Sequence, residues 1–153
     1  MRHIVVTTDF SPLADRAVPA AADLARRLGA KLTLAHVITS QRPPEPDPNA
    51  PFFKVAQRLF EADRELEGQV MASLRERGQR IAGLDVGVAL GRGGAVEGII
   101  EVAREVGADL IVISSQGRTG LARMLLGSVA EEMARVSPVP VLIWKDVAAA
   151  PPA

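Results

Sequence analysis

Ile4-Val5-Val6-Thr7-Thr8-Asp9-Phe10-Ser11-Pro12 decides how the chain is read. Three consecutive β-branched residues suit a strand buried on both faces, whereas a strand with one wet face alternates apolar and polar residues. The strand ends at Thr8-Asp9. Ser11 then offers an N-cap hydroxyl, and Pro12 takes the first helical position, where its missing N–H costs nothing. Ala17, Ala21, Leu24 and Leu28 follow at helical spacing, and Gly29 closes the helix.

The same alternation continues along the chain. Lys31 to Ile38 (KLTLAHVI) reads as a second strand, and Gln41 to Pro51, with five prolines, as a surface loop. Phe53 to Ile81 is a long helical stretch that carries Leu59, Leu66, Val70 and Leu74 among many charges. Val86 to Leu90 is a third strand, and Val96, Ile99, Ile100 and Ala103 form the stripe of a helix ending near Gly107. Asp109 to Ile113 is a fourth strand. Ser114 to Leu126 is mostly loop, with the spacing of a helical turn from Leu121 to Leu126. A short helix over Ser128 to Val136 precedes a last strand, Val139 to Trp144. Strands alternating with helices predict an α/β fold, a three-layer α/β/α sandwich around an open parallel sheet with right-handed crossovers. One domain is expected over residues 1–146, followed by a frayed tail over 147–153.

Composition narrows the function. Basic and acidic residues balance at 18 each, so no net field recruits nucleic acid or an anionic membrane. Four Phe, one Trp and no Tyr offer few bases a stacking platform. The absence of Cys removes disulfides, thiolate catalysis and thiolate-bound metals. No apolar run reaches the length of a membrane span or a signal peptide, so the cytoplasm is the default location.

Ligands of an open parallel sheet sit beyond the carboxyl ends of its strands, where the strand order reverses. That rule nominates Asp9, Val37, Gly91 to Gly94 and the segment from Ser114 onward. Ser114 to Ser128 holds Gly117, Gly120 and Gly127, together with Arg118 and Arg123. Glycines let backbone approach a phosphate, and a helix start at Gly127-Ser128-Val129 presents free N–H groups and the positive end of the helix dipole. An ordinary capping box between Ser128 and Glu131 explains the same residues without a ligand. Gly91-Arg92-Gly93-Gly94 fails the dinucleotide fingerprint, because its third glycine would fall on Val96. His36, within a strand, reads as a packed residue with a satisfied ring nitrogen. The paired carboxylates Glu65-Glu67 and Glu131-Glu132 and the Arg/Glu-rich helix from Arg58 to Arg80 read as solvated faces.

The segment from Ser114 resembles the signature of the universal stress proteins, and specifically of their ATP-binding subgroup. There a first glycine is followed after two residues by a second, and after nine more by Gly-Ser or Gly-Thr. Gly117, the nine residues Arg118 to Leu126, and Gly127-Ser128 fit that spacing. Met124-Leu125-Leu126-Gly127-Ser128-Val129-Ala130-Glu131 is close to the family wording, as are Ile4 to Ser11, Leu34 to Ile38 and Pro138 to Ile143. The sequence departs from the signature at Ser114, where the first glycine stands, and at Gln116, usually His. The resemblance implies a five-stranded sheet of order 3-2-1-4-5, similar to the adenine nucleotide alpha hydrolase-like fold. It implies ATP with Mg²⁺ as the ligand, Asp9 and Val37 on the ribose and adenine side, and Gly117, Gly127, Ser128 and Val129 on the triphosphate. Thr8, Ser114 and Arg118 complete the implied binding set.

The last strand is apolar on both faces, and Pro138 and Pro140 mark it as an edge. Self-pairing about a two-fold axis would cover it, and the resemblance implies the same homodimer contact over Val139 to Trp144. The implied role is a nucleotide-responsive regulatory dimer in stress adaptation. Two alternatives stand beside it. One is a nucleotide-free dimer that works by binding an unidentified protein, and the other a slow ATPase or autophosphorylating protein using Ser115, Thr119 or Ser128 as acceptor. No general base, catalytic metal site or Ser-His-Asp set is legible.

Overall fold

The computed structural model describes residues 1–116 and 126–145. Gly117, Arg118, the helical turn expected from Leu121 and the expected tail from residue 147 lie outside the described residues. Five parallel strands form one sheet, β1 (His3–Thr7), β2 (Lys31–Ile38), β3 (Val86–Arg92), β4 (Leu110–Ser114) and β5 (Val141–Trp144). Their order is β3-β2-β1-β4-β5, as expected. β1 is central, with Val5 opposite Thr33 on β2 and Ile111 on β4. Ile4, Val5 and Val6 are fully buried because helices cover both faces.

Alternate strand residues serve opposite layers. Ile4 and Val6 join Leu32, Leu34 and Val112 against α2 (Ala17–Leu28) and α3 (Phe53–Gln79). The side chains of Ile111 and Ile113 meet α4 (Ala95–Glu105) and α5 (Ser128–Val136) on the other face. Small residues set the first contact: Ala17, Ala21, Ala22 and Ala25 are buried and bring α2 close to the sheet. On the second face, close approach is enforced by glycine. A Cβ at Gly91 would stand 2.7 Å from the Gly98 carbonyl oxygen, so only bare backbone lets α4 settle on β3. That contact accounts for the glycine at 91, which carries no dinucleotide fingerprint.

Several boundaries differ from the sequence expectation. The helix expected from Pro12 to Leu28 is two, α1 (Pro12–Asp15) and α2, joined at Arg16. Pro19 has no N–H to give the Asp15 carbonyl, so the ladder breaks there. Ser11 caps α1 as expected, its hydroxyl accepting the Ala14 N–H at 3.1 Å. β3 runs two residues further than Leu90, in register with β2 through Ile38 and Arg92. Strand β4 begins one residue later than expected, because the Asp109 carboxylate is used as an anchor. It accepts the N–H of Arg2 at 2.7 Å and of His3 at 3.3 Å, and those backbone bonds hold its carboxyl below the usual range. β5 starts at Val141 and is an edge strand, with Leu142 and Trp144 directed away from the packed pair Val141 and Ile143. Among the described residues no helix is long and apolar enough to cross a membrane.

Candidate functional site

From β1 the crossovers lead one way, to β2 and β3, and from β4 the other way, to β5. The crevice between β1 and β4 at their carboxyl ends is therefore the topological switch point. A cavity of about 530 Å³ opens there. Thr8 and Asp9 line it from the end of β1, Val37 from β2, and Ser114 from β4. Gly127, Ser128 and Val129 line it from the start of α5. The structure thus gathers every described residue of the expected set around one cavity.

The loop after β1 is tightly held. Thr8 is buried, and its hydroxyl donates to Asp15 Oδ1 at 2.6 Å while accepting the Phe10 N–H at 2.9 Å. Asp9 Oδ1 accepts the Ser11 N–H at 2.9 Å, an Asx turn that fixes the carboxylate at the cavity rim. These bonds hold Phe10 at φ 63°, a left-handed conformation that costs a non-glycine residue on the order of 1 kcal/mol. Its ring stacks at 4.4 Å on His36 and lies 4.6 Å beneath the Arg77 guanidinium. Arg77 also donates to Asp15 Oδ2 at 3.3 Å. His36 gives its Nδ1 proton to the Thr8 carbonyl at 2.8 Å, since a carbonyl oxygen only accepts. Its packed, satisfied ring matches the sequence reading, but the residue also lines the cavity. Arg77, read as part of a solvated face, is instead a support of the Asp9 loop.

The far side of the cavity is a helix start. Gly127, not Ser128, is the N-cap of α5, and no side chain caps it. The capping box that would explain these residues without a ligand does not form, and the first intrahelical bond runs from the Glu131 N–H to the Gly127 carbonyl at 2.9 Å. Ser128, Val129 and Ala130 are the first three helical residues, and all three line the cavity. Their N–H groups are those that a helix leaves without intrahelical partners. Gly127 is extended, and a Cβ there would stand 3.2 Å from the Ser115 carbonyl oxygen that accepts its own N–H at 2.7 Å.

Ser114 lies in an extended strand, not in the left-handed region. Its hydroxyl donates to the Leu13 carbonyl at 3.2 Å and accepts the Gln116 N–H at 3.3 Å. The hydroxyl is therefore engaged by α1 and by its own turn.

A charged clamp stands beside the cavity mouth. Arg92, at the end of β3, donates to both oxygens of Asp63 at 3.0 and 3.1 Å and to Glu67 at 2.7 Å. Arg42 of the proline loop pairs with the same Glu67. The Arg92 bond, then the Arg42 bond, hold the Glu67 carboxyl below its ordinary value. Burial opposes the Arg92 charge, but the Glu67 and Asp63 carboxylates outweigh it and raise its pKa. This clamp fixes the part of α3 from which Leu66 and Val70 line the cavity. Glu67, read from sequence as solvated, is a structural ligand of Arg92.

The profile of the Universal stress protein family matches residues 1–145. The chain belongs to that family. This universal stress protein is 30% identical to the stress response protein NhaX of Bacillus subtilis, over 94% of its own length and 97% of that relative's. It is 28% identical to universal stress protein MJ0577 of Methanocaldococcus jannaschii, over 94% of each chain. The MJ0577 structure superposes with a TM-score of 0.76 at 26% identity, covering 95% of this chain and 96% of that one. A universal stress protein described in complex with cAMP superposes at 0.62 with 29% identity, over 95% and 98% of the two chains.

Proposed function

We propose that this universal stress protein binds ATP, accompanied by Mg²⁺, and acts in the cytoplasm as a nucleotide-responsive regulatory homodimer. One observation carries the reading: the uncapped first turn of α5, Ser128 to Ala130, faces the same cavity as the Asp9 carboxylate. Orphan N–H groups at the positive end of a helix dipole suit phosphate oxygens, and a carboxylate suits the two hydroxyls of a ribose. Val37, Ile38 and Ile99 give the cavity an apolar wall for a base. Relatives add support, since a family member of similar sequence is described in complex with cAMP.

Among the described residues no group of three His, Asp or Glu side chains is arranged to hold a metal. Mg²⁺ therefore fits as an ion carried by the nucleotide, with phosphate oxygens and water filling most of its octahedral shell. Of the implied phosphate ligands, Gly117 and Arg118 belong to the proposal by resemblance. The dimer contact proposed is β5, whose Leu142 and Trp144 are exposed on an edge strand.

Thermal unfolding with Mg-ATP or cAMP at millimolar concentration tests the ligand. Ligand at about 100 times its Kd adds about 2.7 kcal/mol, which raises Tm by about 5–10 °C for a chain of this size. Asp9→Asn and Ser128→Pro are expected to shrink that rise. No rise with either nucleotide, and no nucleotide released from the purified protein on denaturation, would overturn the reading. A rise with cAMP alone would replace ATP as the ligand. Leu142→Asp is expected to yield monomers in sedimentation if β5 is the contact, and an unchanged mass removes it.

A further inference from the structure

Phe52, Val55, Leu59, Ala62 and Leu66 succeed one another at alternating steps of three and four residues, the spacing of a coiled-coil seam. The four large ones are between 42% and 82% exposed, and Ala62 is exposed as well. The residues of α3 buried in the fold come later, at Val70, Leu74 and Gly78. At 100° per residue Phe52 falls in line with Val70, while Val55, Leu59, Ala62 and Leu66 lie to one side of the buried face. Phe52 adds a second sign. It holds the helix start at φ 67° with its ring 82% exposed, a strained backbone that buries nothing in the chain itself. Taking about 200 Å² for a whole aromatic side chain and somewhat less for Leu and Val, the seam exposes roughly 400 Å² of apolar surface.

We infer that this seam pairs with the same seam of a second copy, antiparallel, about a two-fold axis passing between Phe60 and Glu61. Leu59 then packs on the partner's Ala62, and Val55 on the partner's Leu66, while the Phe52 ring covers the turn beyond. Charge selects this arrangement. Arg58 and Glu65 lie on the outer edge of the seam, seven residues apart, and among the described residues neither makes an ion pair within the chain. Antiparallel pairing sets each Arg58 against the partner's Glu65, twice by symmetry. A parallel seam would instead direct Arg58 at the partner's Asp63, which Arg92 already holds in each chain. On the inner edge, Asp63 and Glu67 are both neutralised by Arg92. Along the exposed half Lys54, Arg58 and Arg64 are interspersed with Glu61 and Glu65, so no concentrated basic patch recruits an anionic lipid surface. The seam supplies about half of the ~800 Å² per partner of a standard interface, so the contact is weak and concentration-dependent. It lies on α3, which packs on β2 and β3, whereas β5 is at the other edge of the sheet, so the two contacts are independent.

Sedimentation velocity of the full chain from about 1 µM to 1 mM tests the pairing. The expected result is a mass that doubles across this range, a doubling that Leu142→Asp on β5 leaves in place and Leu59→Glu removes. Arg58→Glu and Glu65→Arg alone are each expected to weaken the association by about 5-fold or more, and together to restore it to within about 2-fold. The charge pair is exposed, so this cycle decides even if Leu59→Glu fails to fold. A mass constant over the range overturns the inference, as does insensitivity to Leu59→Glu or a double swap that does not recover. Flotation with phosphatidylserine vesicles, lost in Leu59→Glu at unchanged mass, would assign the seam to a membrane and equally overturn it.

Discussion

Replacing Arg92 by Met tests what holds α3 over the cavity. Met keeps most of the aliphatic stem and removes the guanidinium. Lost with it are the bonds of 3.0 and 3.1 Å to Asp63 and 2.7 Å to Glu67. Asp63, whose side chain is only 9% exposed, is then left without a cation. Orphaning one member of a buried pair costs about 3–5 kcal/mol. Glu67 and Arg92 are more open than that limit, at 25% and 19% exposure, and water screens them. The expected loss is therefore about 2 kcal/mol, or about 4–8 °C in Tm. Asp63→Asn in the same background removes the stranded charge and is expected to recover about half. Acid adds a second readout. The folded protein holds the Glu67 carboxyl below its ordinary value of 4.5, so the Glu67 contribution is complete above that value. It is lost as pH falls through the lower folded one, and Arg92→Met is expected to flatten this decline. Calorimetric scans from about pH 3 to pH 7 measure both effects. A variant within about 1 °C of the parent at neutral pH, with the same acid profile, would refute the clamp.

Three further outcomes are expected. Gly91→Ala places a Cβ 2.7 Å from the Gly98 carbonyl and 3.1 Å from Val102 Cγ2, so α4 must retreat. Overpacking of this kind costs about 2 kcal/mol, visible as an earlier urea midpoint in circular dichroism. Thr8→Val keeps the shape but removes the donor to Asp15 and the acceptor of the Phe10 N–H. With Phe10 left unsupported in its left-handed turn, about 1–3 kcal/mol is lost, and proteolysis within the loop after β1 accelerates. Ser114→Gly changes nucleotide affinity by less than about 3-fold in titration calorimetry, because the serine is extended and its hydroxyl is tied to Leu13 and Gln116. A tenfold gain would mean that the serine obstructs the cavity.

Local patterning carried most of the architecture. The runs Ile4-Val5-Val6 and Leu110 to Ile113 are apolar because helices cover them on both sides, so the strands were legible without long-range knowledge. Resemblance, not periodicity, supplied the strand order. The break at Arg16 was readable in principle, since Pro19 withholds one N–H, but the continuous helical spacing of the alanines hides it. The cavity residues could be named because strand ends and a helix start are local features. Their supports could not. Arg77 reaches Asp15 across 62 residues, and Arg92 reaches Asp63 across 29; in sequence each is one charge among many on a polar stretch. Leu59 and Leu66 show the reverse limit, because helical spacing announces an apolar face without saying what covers it.

α3 is fastened twice, by forces of different kinds. Below, methyl groups of Val70 and Leu74 seat it on the sheet; above, ions bind Asp63 and Glu67 to Arg92. Cooling weakens the first attachment and dissolved salt the second. Leu66, which borders the cavity, lies between the two carboxylates of the ionic attachment. Chill and osmotic shock would thus loosen neighbouring stretches of a single rod by different routes, before either disturbs the sheet beneath.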